Sequence, residues 1–401
     1  MRPAAGAQVT PCPPSPATQN NRSIFGSGPN GFQADLPSAP SQSAKLYVVD
    51  LRNGPKVAAS GSLTTMPVGS WRSFMGHVVS IDKDLDWRTD VAYVGRTAHD
   101  GALPWRGKMY RLTMNCPAAP CTPDTWGIAN GANRTPTEVI DTLFDAGMGT
   151  TVEVGPTAAA PAVTIDDTNA TWVFFGTGRY FGNADKVDNT IQRLYGLKDK
   201  VMNGSCTQTS TVNCHSDDLV DVTNAVVCLV CSGATNQVTD PTNPSVTSVE
   251  GTGANSMMGL IASKDGWRIT LPGPVTISSV NYSAERSVVN PTLIAGVIFL
   301  PTFVPTNDFC ASDGISYLYV LFYKTGTAPP YAVVGTTPSG ANTNINTKVD
   351  LGVGLASSGS MHVGQEDGKI CNQMSGGNAV CTNTALKEFY SRFVSWVHQR
   401  D

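Results

Sequence analysis

The nine residues Asp82-Lys83-Asp84-Leu85-Asp86-Trp87-Arg88-Thr89-Asp90 carry the densest chemistry in the chain. Their carboxylates fall at relative positions 1, 3, 5 and 9, the spacing that opens a calcium loop of EF-hand type. A hard divalent cation needs several oxygens converging from one short turn, and alternate residues of a tight loop supply them. The main-chain carbonyl at relative position 7, here Arg88, ordinarily adds another. Four acidic groups this close repel one another unless a cation lies among them. The pattern departs from the standard loop at two places. Trp87 stands where Gly is usual, and Tyr93 stands where a bidentate Glu is usual. The flanks, Gly76 to Ile81 and Val91 to Val94, read as strands rather than helices. The stretch therefore reads as a metal loop joining two β-strands. Its candidate Ca2+ ligands are Asp82, Asp84, Asp86, Asp90 and the Arg88 carbonyl. The plain alternative is a solvated acidic turn.

Other constellations are weaker. Gly26-Ser27-Gly28-Pro29-Asn30-Gly31 matches G-x-G-x-x-G formally, but Pro29 and Asn30 mark a turn where a dinucleotide site needs a helix to open. Cys228-Leu229-Val230-Cys231 lacks the helix start of a redox centre, and Ser232 stands where haem attachment needs His, so it reads as a structural disulfide. His77, His99, His215, His362 and His398 do not cluster by spacing. Asp185 with Asp188, and Asp308 with Asp313, are acidic pairs in turns, too few in carboxylates for a dedicated ion site. The chain has no G-x-S-x-G elbow to support a serine hydrolase.

The elements around these residues are strands. Gly 39 and Pro 27, against 14% charged and 41% hydrophobic residues in a 401-residue chain, describe a turn-rich, all-β protein with material for a core. The net charge of -4 and the lack of a basic stripe argue against a nucleic-acid partner. No apolar run spans a bilayer, since Leu293 to Val304 is broken by Gly296 and Pro301. The ten cysteines include four close pairs: Cys116 with Cys121, Cys206 with Cys214, Cys228 with Cys231, and Cys371 with Cys381. These read as staples on loops formed in an oxidising compartment; Cys12 and Cys310 have no local mate. Residues 1–22 read as a disordered lead-in without the apolar segment of a signal peptide. The chain is accordingly expected to be the C-terminal part of a longer secreted protein.

A two-strand unit recurs through residues 23–401. Its copies are Ser23 to Gly28 with Lys45 to Gly54, Asp90 to Arg96 with Gly107 to Leu112, Thr171 to Gly178 with Arg193 to Asp199, and Gly296 to Leu300 with Ser316 to Leu321. Such a repeat is the mark of propeller blades, which bury their faces only by stacking. Gly26, Gly95 and Gly176 lie 69 and 81 residues apart, so insertions separate the blades. The longest, about 203–255, reads as a surface excursion. Leu386 to Gln399 reads as a strand that closes the last blade, although a helical stripe fits it too.

The phrases Phe25-Gly26-Ser27-Gly28, Tyr47-Val48-Val49-Asp50, the acidic loop running into Tyr93-Val94-Gly95, Trp105-Arg106-Gly107-Lys108-Met109-Tyr110-Arg111, Phe174 to Tyr180 and Gly266 to Pro272 occur in order. In this the chain resembles the C-terminal domain of the PilY family of type IV pilus assembly proteins and tip adhesins. The resemblance implies a modified β-propeller, complete or partial, with long disulfide-stapled loop insertions and calcium in a blade loop on the ligands named above. It implies a non-enzymatic role in pilus assembly, extension and surface adhesion. The expected location is the pilus tip, the cell surface or the periplasm of a Gram-negative bacterium. Expected partners are pilus tip proteins such as minor pilins, or an N-terminal partner region. Two alternatives stay open: a quinoprotein-like propeller dehydrogenase, for which Tyr47-Val48-Val49-Asp50 and Lys324-Thr325-Gly326 resemble blade ends, and an ion-free interaction scaffold.

Overall fold

The structure, a computed structural model, describes residues 22–28, 43–50, 63–67, 72–86, 88–99, 104–114, 125–130, 133–140, 142–145, 150–232, 237–307, 314–363 and 368–386. All four strand pairs expected from the repeat are antiparallel neighbours within a sheet. The first sheet orders Arg22–Gly26, Lys45–Asp50 and Leu63–Pro67. In the second, Val91–Ala98 and Arg106–Thr113 lie between Ser73–Ile81 and Thr137–Ile140. The third sets Thr171–Gly176 and Arg193–Lys198 between Ala162–Ile165 and Gly266–Thr270. The fourth sets Val297–Pro305 and Gly314–Phe322 between Thr292–Ile294 and Lys348–Val353. A fifth, Ser360–Val363, Gly368–Gln373 and Ala379–Thr384, has no counterpart in the four copies read from the repeat.

The leading edge strands of the first four sheets touch in succession: Arg22–Gly26 meets Ser73–Ile81, which meets Ala162–Ile165, which meets Thr292–Ile294. Sheets joined this way at their inner edges are stacked as the blades of a β-propeller. Period-two alternation then sends one face of each blade to each neighbour. Ala92 and Val94 pack with Leu46 and Val48 of the first sheet, whereas Val91 and Tyr93 pack with Val173 and Phe175 of the third. Trp172 and Phe174 face Ile298 and Leu300 of the fourth, whose Val297 and Phe299 face Ile370 of the fifth. A strand covered on both sides must be apolar at nearly every position, which is why these central strands read as unbroken hydrophobic runs.

The recurring glycines lie within their strands. Gly95 lies inside Val91–Ala98, and Gly26 and Gly176 end their strands. A Cβ on Gly26 would come within 2.3 Å of Met75 Cβ, one on Gly95 within 2.3 Å of the Thr157 carbonyl, and one on Gly176 within 2.3 Å of Ser287 Cβ. In each case the obstructing atom belongs to the chain entering the next blade. The glycine recurs because the chain entering the next blade comes too close there to leave room for a Cβ.

Segment 203–255 corrects one expectation. It is a surface excursion only in part: residues 204–213 are largely exposed, while other residues enter the core. Val220, Val222, Val227, Val238, Val246 and Val249 are buried in one core with Trp172 and Trp267. Leu219–Asp221 adds a parallel edge strand to the third sheet, and Val226–Val230 and Val238–Thr239 join Thr336–Ser339 and Asn342–Ile345 in a further sheet. The polar Ser, Thr and Asn residues that suggested exposure separate valines that carry the burial. Ser256 caps the short helix Met257–Ala262, its Oγ accepting Gly259 N at 3.0 Å. Disulfides Cys206–Cys214, Cys228–Cys231 and Cys371–Cys381 are formed as expected, the last joining directly opposed residues of two strands. Cys12, Cys116, Cys121 and Cys310, residues 1–21 and the segment after Leu386 lie outside the described residues, while Arg22 pairs with Asp50 in the first sheet. Among the described residues no helix is long and apolar enough to cross a membrane.

Candidate metal centre

The acidic loop joins Ser73–Ile81 to Val91–Ala98, two paired strands of the second sheet, closing beyond the Ile81–Val91 pair. Asp90 N donates to Ile81 O at 2.9 Å and Met114 N donates to Asp90 O at 2.7 Å, so the loop is pinned at its exit by the ladder. Within it the amides turn onto the carboxylates. Asp86 N donates to Asp82 Oδ1 and Asp84 Oδ1, each at 3.2 Å, and Arg88 N donates to Asp86 Oδ1 at 2.8 Å. Leu85 makes the sharp reversal at φ 61° with its side chain in solvent.

The result is one cluster. A carboxylate oxygen from each of Asp82, Asp84 and Asp86 lies within 4.8 Å of the other two. The Asp84 carboxyl titrates above the ordinary aspartate value. Desolvation is the leading cause, with the charges of Asp86, Asp90 and Asp82 adding to it against a lowering hydrogen bond from Asp86 N. Asp90 stands outside the three-residue cluster: its Oδ2 accepts Lys83 N at 2.6 Å. Arg88 is exposed and engages Asp86 through its amide and, at 3.9 Å, through Nε. Trp87 lies outside the described residues. The donor set is all hard oxygen on a turn held at both ends by strands, which fits a calcium-sized ion and not a soft metal.

The other candidates have structural uses. Asp185 is buried and its Oδ1 lies 2.6 Å from Arg179 Nε, while its Oδ2 accepts Phe181 N and Gly182 N; Asp188 Oδ1 accepts Thr190 N. That pair is spent on a buried arginine and a turn. Asp308, Asp313 and His398 lie outside the described residues.

Two features beside the loop were not read from the sequence. The first is a buried joint between the second and third sheets. Arg111 Nη1 donates to Asp199 Oδ1 at 2.8 Å and Tyr93 Oη donates to Asp199 Oδ2 at 2.7 Å, with neither charged side chain exposed. Burial, then the Asp199 charge and hydrogen bond, push the Tyr93 hydroxyl well above its usual range, so it stays a donor. The second is an open cleft of about 550 Å3 between the loop and the third sheet, lined by Lys83, Asp84, Asp90, Thr113, Asn169 and Met202 among others.

In the edge strand Thr137–Ile140 of the same sheet, Glu138 is partly buried. Burial alone would raise its pKa, but hydrogen bonds from His215 (3.2 Å) and Lys108 (2.8 Å), together with the Lys108 charge, bring it down to about 2 from the ordinary 4.5. A carboxylate depressed in the folded state stabilises fully above its unfolded pKa, and that contribution fades as pH falls from about 4.5 toward 2. Allowing for solvent screening, the loss is roughly 1–2 kcal/mol. Urea unfolding at stepped pH should show wild-type stability falling by this extra amount across the window relative to Glu138→Gln. Parallel profiles would remove the assignment.

Comparison with known sequences agrees with this architecture. The profile of the family described as the PilY1 beta-propeller domain matches residues 11–226. The chain is also similar to a type IV pilus biogenesis factor PilY1 homolog of Xylella fastidiosa, with 25% identity over 323 residues. That alignment covers 76% of this chain but 18% of the relative, so the chain spans under a fifth of the length of the curated protein it matches.

Proposed function

This chain belongs to the PilY1 beta-propeller family, and from that membership we propose that it is a calcium-binding, non-enzymatic propeller of type IV pilus biogenesis. It supports pilus assembly and extension and presents a surface for adhesion, in contact with pilus tip proteins. It works outside the cytoplasm, a placement supported by three formed disulfides.

The observation that carries the calcium reading is the convergence of Asp82, Asp84 and Asp86 on a turn between two strands. Asp82, Asp84 and Asp86 would hold the ion, with Asp90 and the Arg88 carbonyl as the further oxygens that the loop spacing supplies. A bound calcium supplies two positive charges at the centre of this repulsion. The protein's own part is to hold the carboxylates together: the strand ladder fixes both loop ends, and the amides of Asp86 and Arg88 orient the oxygens. A loop without a bidentate Glu at position 12 should bind in the range of about 10−6 to 10−3 M.

Thermal unfolding and calorimetric titration test this. Calcium at a hundred times its dissociation constant should stabilise the protein by about 2.7 kcal/mol. Asp84→Ala or Asp86→Ala should weaken binding at least tenfold and abolish that stabilisation. Identical melting with calcium and with chelator would leave the ion-free scaffold as the better reading, a loop satisfied by its own amides.

A further inference from the structure

Among the described residues, the loop reaches the neighbouring blade through the side chain of Lys83. Lys83 lies between the first two acidic residues of the cluster. Lys83 Nζ donates to Met202 O at 2.5 Å, across 119 residues of sequence. Its own amide is held by Asp90 Oδ2 at 2.6 Å, so its backbone is part of the loop's hydrogen-bonded frame while its tip belongs to the third sheet.

Met202 sits in the turn that follows Arg193–Lys198. That turn is organised by Asp199. Val201 N and Met202 N donate to Asp199 Oδ1 at 2.9 and 3.3 Å, and Asn203 N donates to Asp199 O at 3.0 Å. The same carboxylate receives Arg111 and Tyr93 from the second sheet. Arg111 Nη2 continues outward to Gln208 Oε1 at 3.1 Å and Cys214 O at 3.3 Å, inside the loop closed by Cys206–Cys214. Gln208 Oε1 also accepts Cys214 N at 3.0 Å. A continuous path of hydrogen bonds thus runs from the acidic loop through Lys83, the 199–205 turn and the buried ion pair to the disulfide loop.

We propose that Lys83 is an inter-blade latch: it couples the conformation of the 82–90 loop to the 199–205 turn and the Arg111–Asp199 joint, so that an ion filling the loop stiffens the contact between the second and third blades. The effect of the ion rests on the calcium reading above; the latch itself does not. The physical logic is one of shared constraint. Fixing the loop backbone around an ion fixes the Lys83 Cα, which narrows the positions from which its ammonium reaches the Met202 carbonyl. The turn then exchanges its amide protons less often, because opening it requires Lys83 to be released as well. The opening between the two sheets beside this contact is a cleft, so Lys83 bridges a gap that close packing does not fill.

Hydrogen exchange read by mass spectrometry on the full chain tests the latch, using peptides that cover 199–205, with calcium chloride or chelator as the two arms. Lys83→Met keeps the apolar stem and removes the donor. In the wild type, calcium should slow exchange of the Val201, Met202 and Asn203 amides about tenfold. Lys83→Met should bind calcium within about threefold of the wild type by calorimetry, yet lose that slowing, and Lys83→Arg should restore part of it. Persistence of the full slowing in Lys83→Met overturns the coupling. If the wild type binds no calcium, the calcium reading fails, and the chelator arm alone decides the latch. Faster exchange at 199–205 in Lys83→Met than in the wild type supports it, and equal rates overturn it.

Discussion

Replacing Asp199 with alanine should destabilise the protein by about 3–5 kcal/mol. The carboxylate is wholly buried and takes four donors: Arg111 Nη1, Tyr93 Oη, Val201 N and Met202 N. Alanine removes all four bonds and leaves the Arg111 guanidinium buried and fully charged against a vacant site. Arginine does not escape by losing its proton, so the cost falls on the fold. A domain's total stability is of order 5–15 kcal/mol, so the alanine variant should lose a large share of it and unfold at a markedly lower urea concentration. Asp199→Asn keeps the shape and a carbonyl acceptor, so it should cost less and remain measurable by urea denaturation. If Asp199→Asn proves neutral, the joint does not depend on charge. A paired change of Arg111→Met with Asp199→Leu should recover the part of the loss due to the unpaired guanidinium, but not the part due to Tyr93 Oη, Val201 N and Met202 N, which still lose their acceptor.

A comparable loss, about 3–5 kcal/mol, is expected from Trp267→Ala. Trp267 is fully buried where the third and fourth blades meet, stacked with Phe174 at 6.2 Å between ring centroids, and its Nε1 donates to Tyr323 O at 2.8 Å. Glycines make room for the ring. A Cβ at Gly196 would approach the indole within 2.3 Å, and one at Gly326 within 2.5 Å; Gly326 also holds φ 69°, which an L side chain rarely adopts. Removing the indole empties a slot walled partly by backbone, which cannot collapse inward. Trp267→Phe should cost less than alanine, but it leaves the Tyr323 carbonyl without its donor. Guanidinium unfolding should rank wild type above Trp267→Phe above Trp267→Ala. An alanine variant within 1 kcal/mol of the wild type would mean that this inter-blade core repacks freely.

The two variants probe opposite kinds of inter-blade contact. One is a buried ion pair whose value lies in remaining complete, the other an apolar wedge whose value lies in filled volume. Both join residues far apart in sequence, 88 and 56 positions, but only the tryptophan change should lower the unfolding midpoint without touching the acidic loop, because Asp199 also holds the turn that receives Lys83. Calcium affinity per folded molecule should therefore stay close to wild type in Trp267→Phe, while Asp84→Ala should affect the ion first.

What the amino-acid sequence determined by itself is local. Carboxylate spacing placed the acidic loop between two strands because loop and flanks are contiguous, and the apolar runs identified the paired strands of four blades because strands buried on both faces have few polar positions. The three observed disulfides were equally legible, their cysteines lying no more than ten residues apart. Tertiary structure alone decided the rest. It showed that Gly26, Gly95 and Gly176 serve close approach between blades, that six valines of 203–255 belong to the core, and that Asp185 answers Arg179. It also brought Lys83 to Met202 and Arg111 to Asp199 across 119 and 88 residues. Charge and periodicity report which groups a segment must bury or satisfy. They do not report the partner, because the blade that supplies it is chosen by how the sheets stack, a decision made by the whole chain at once.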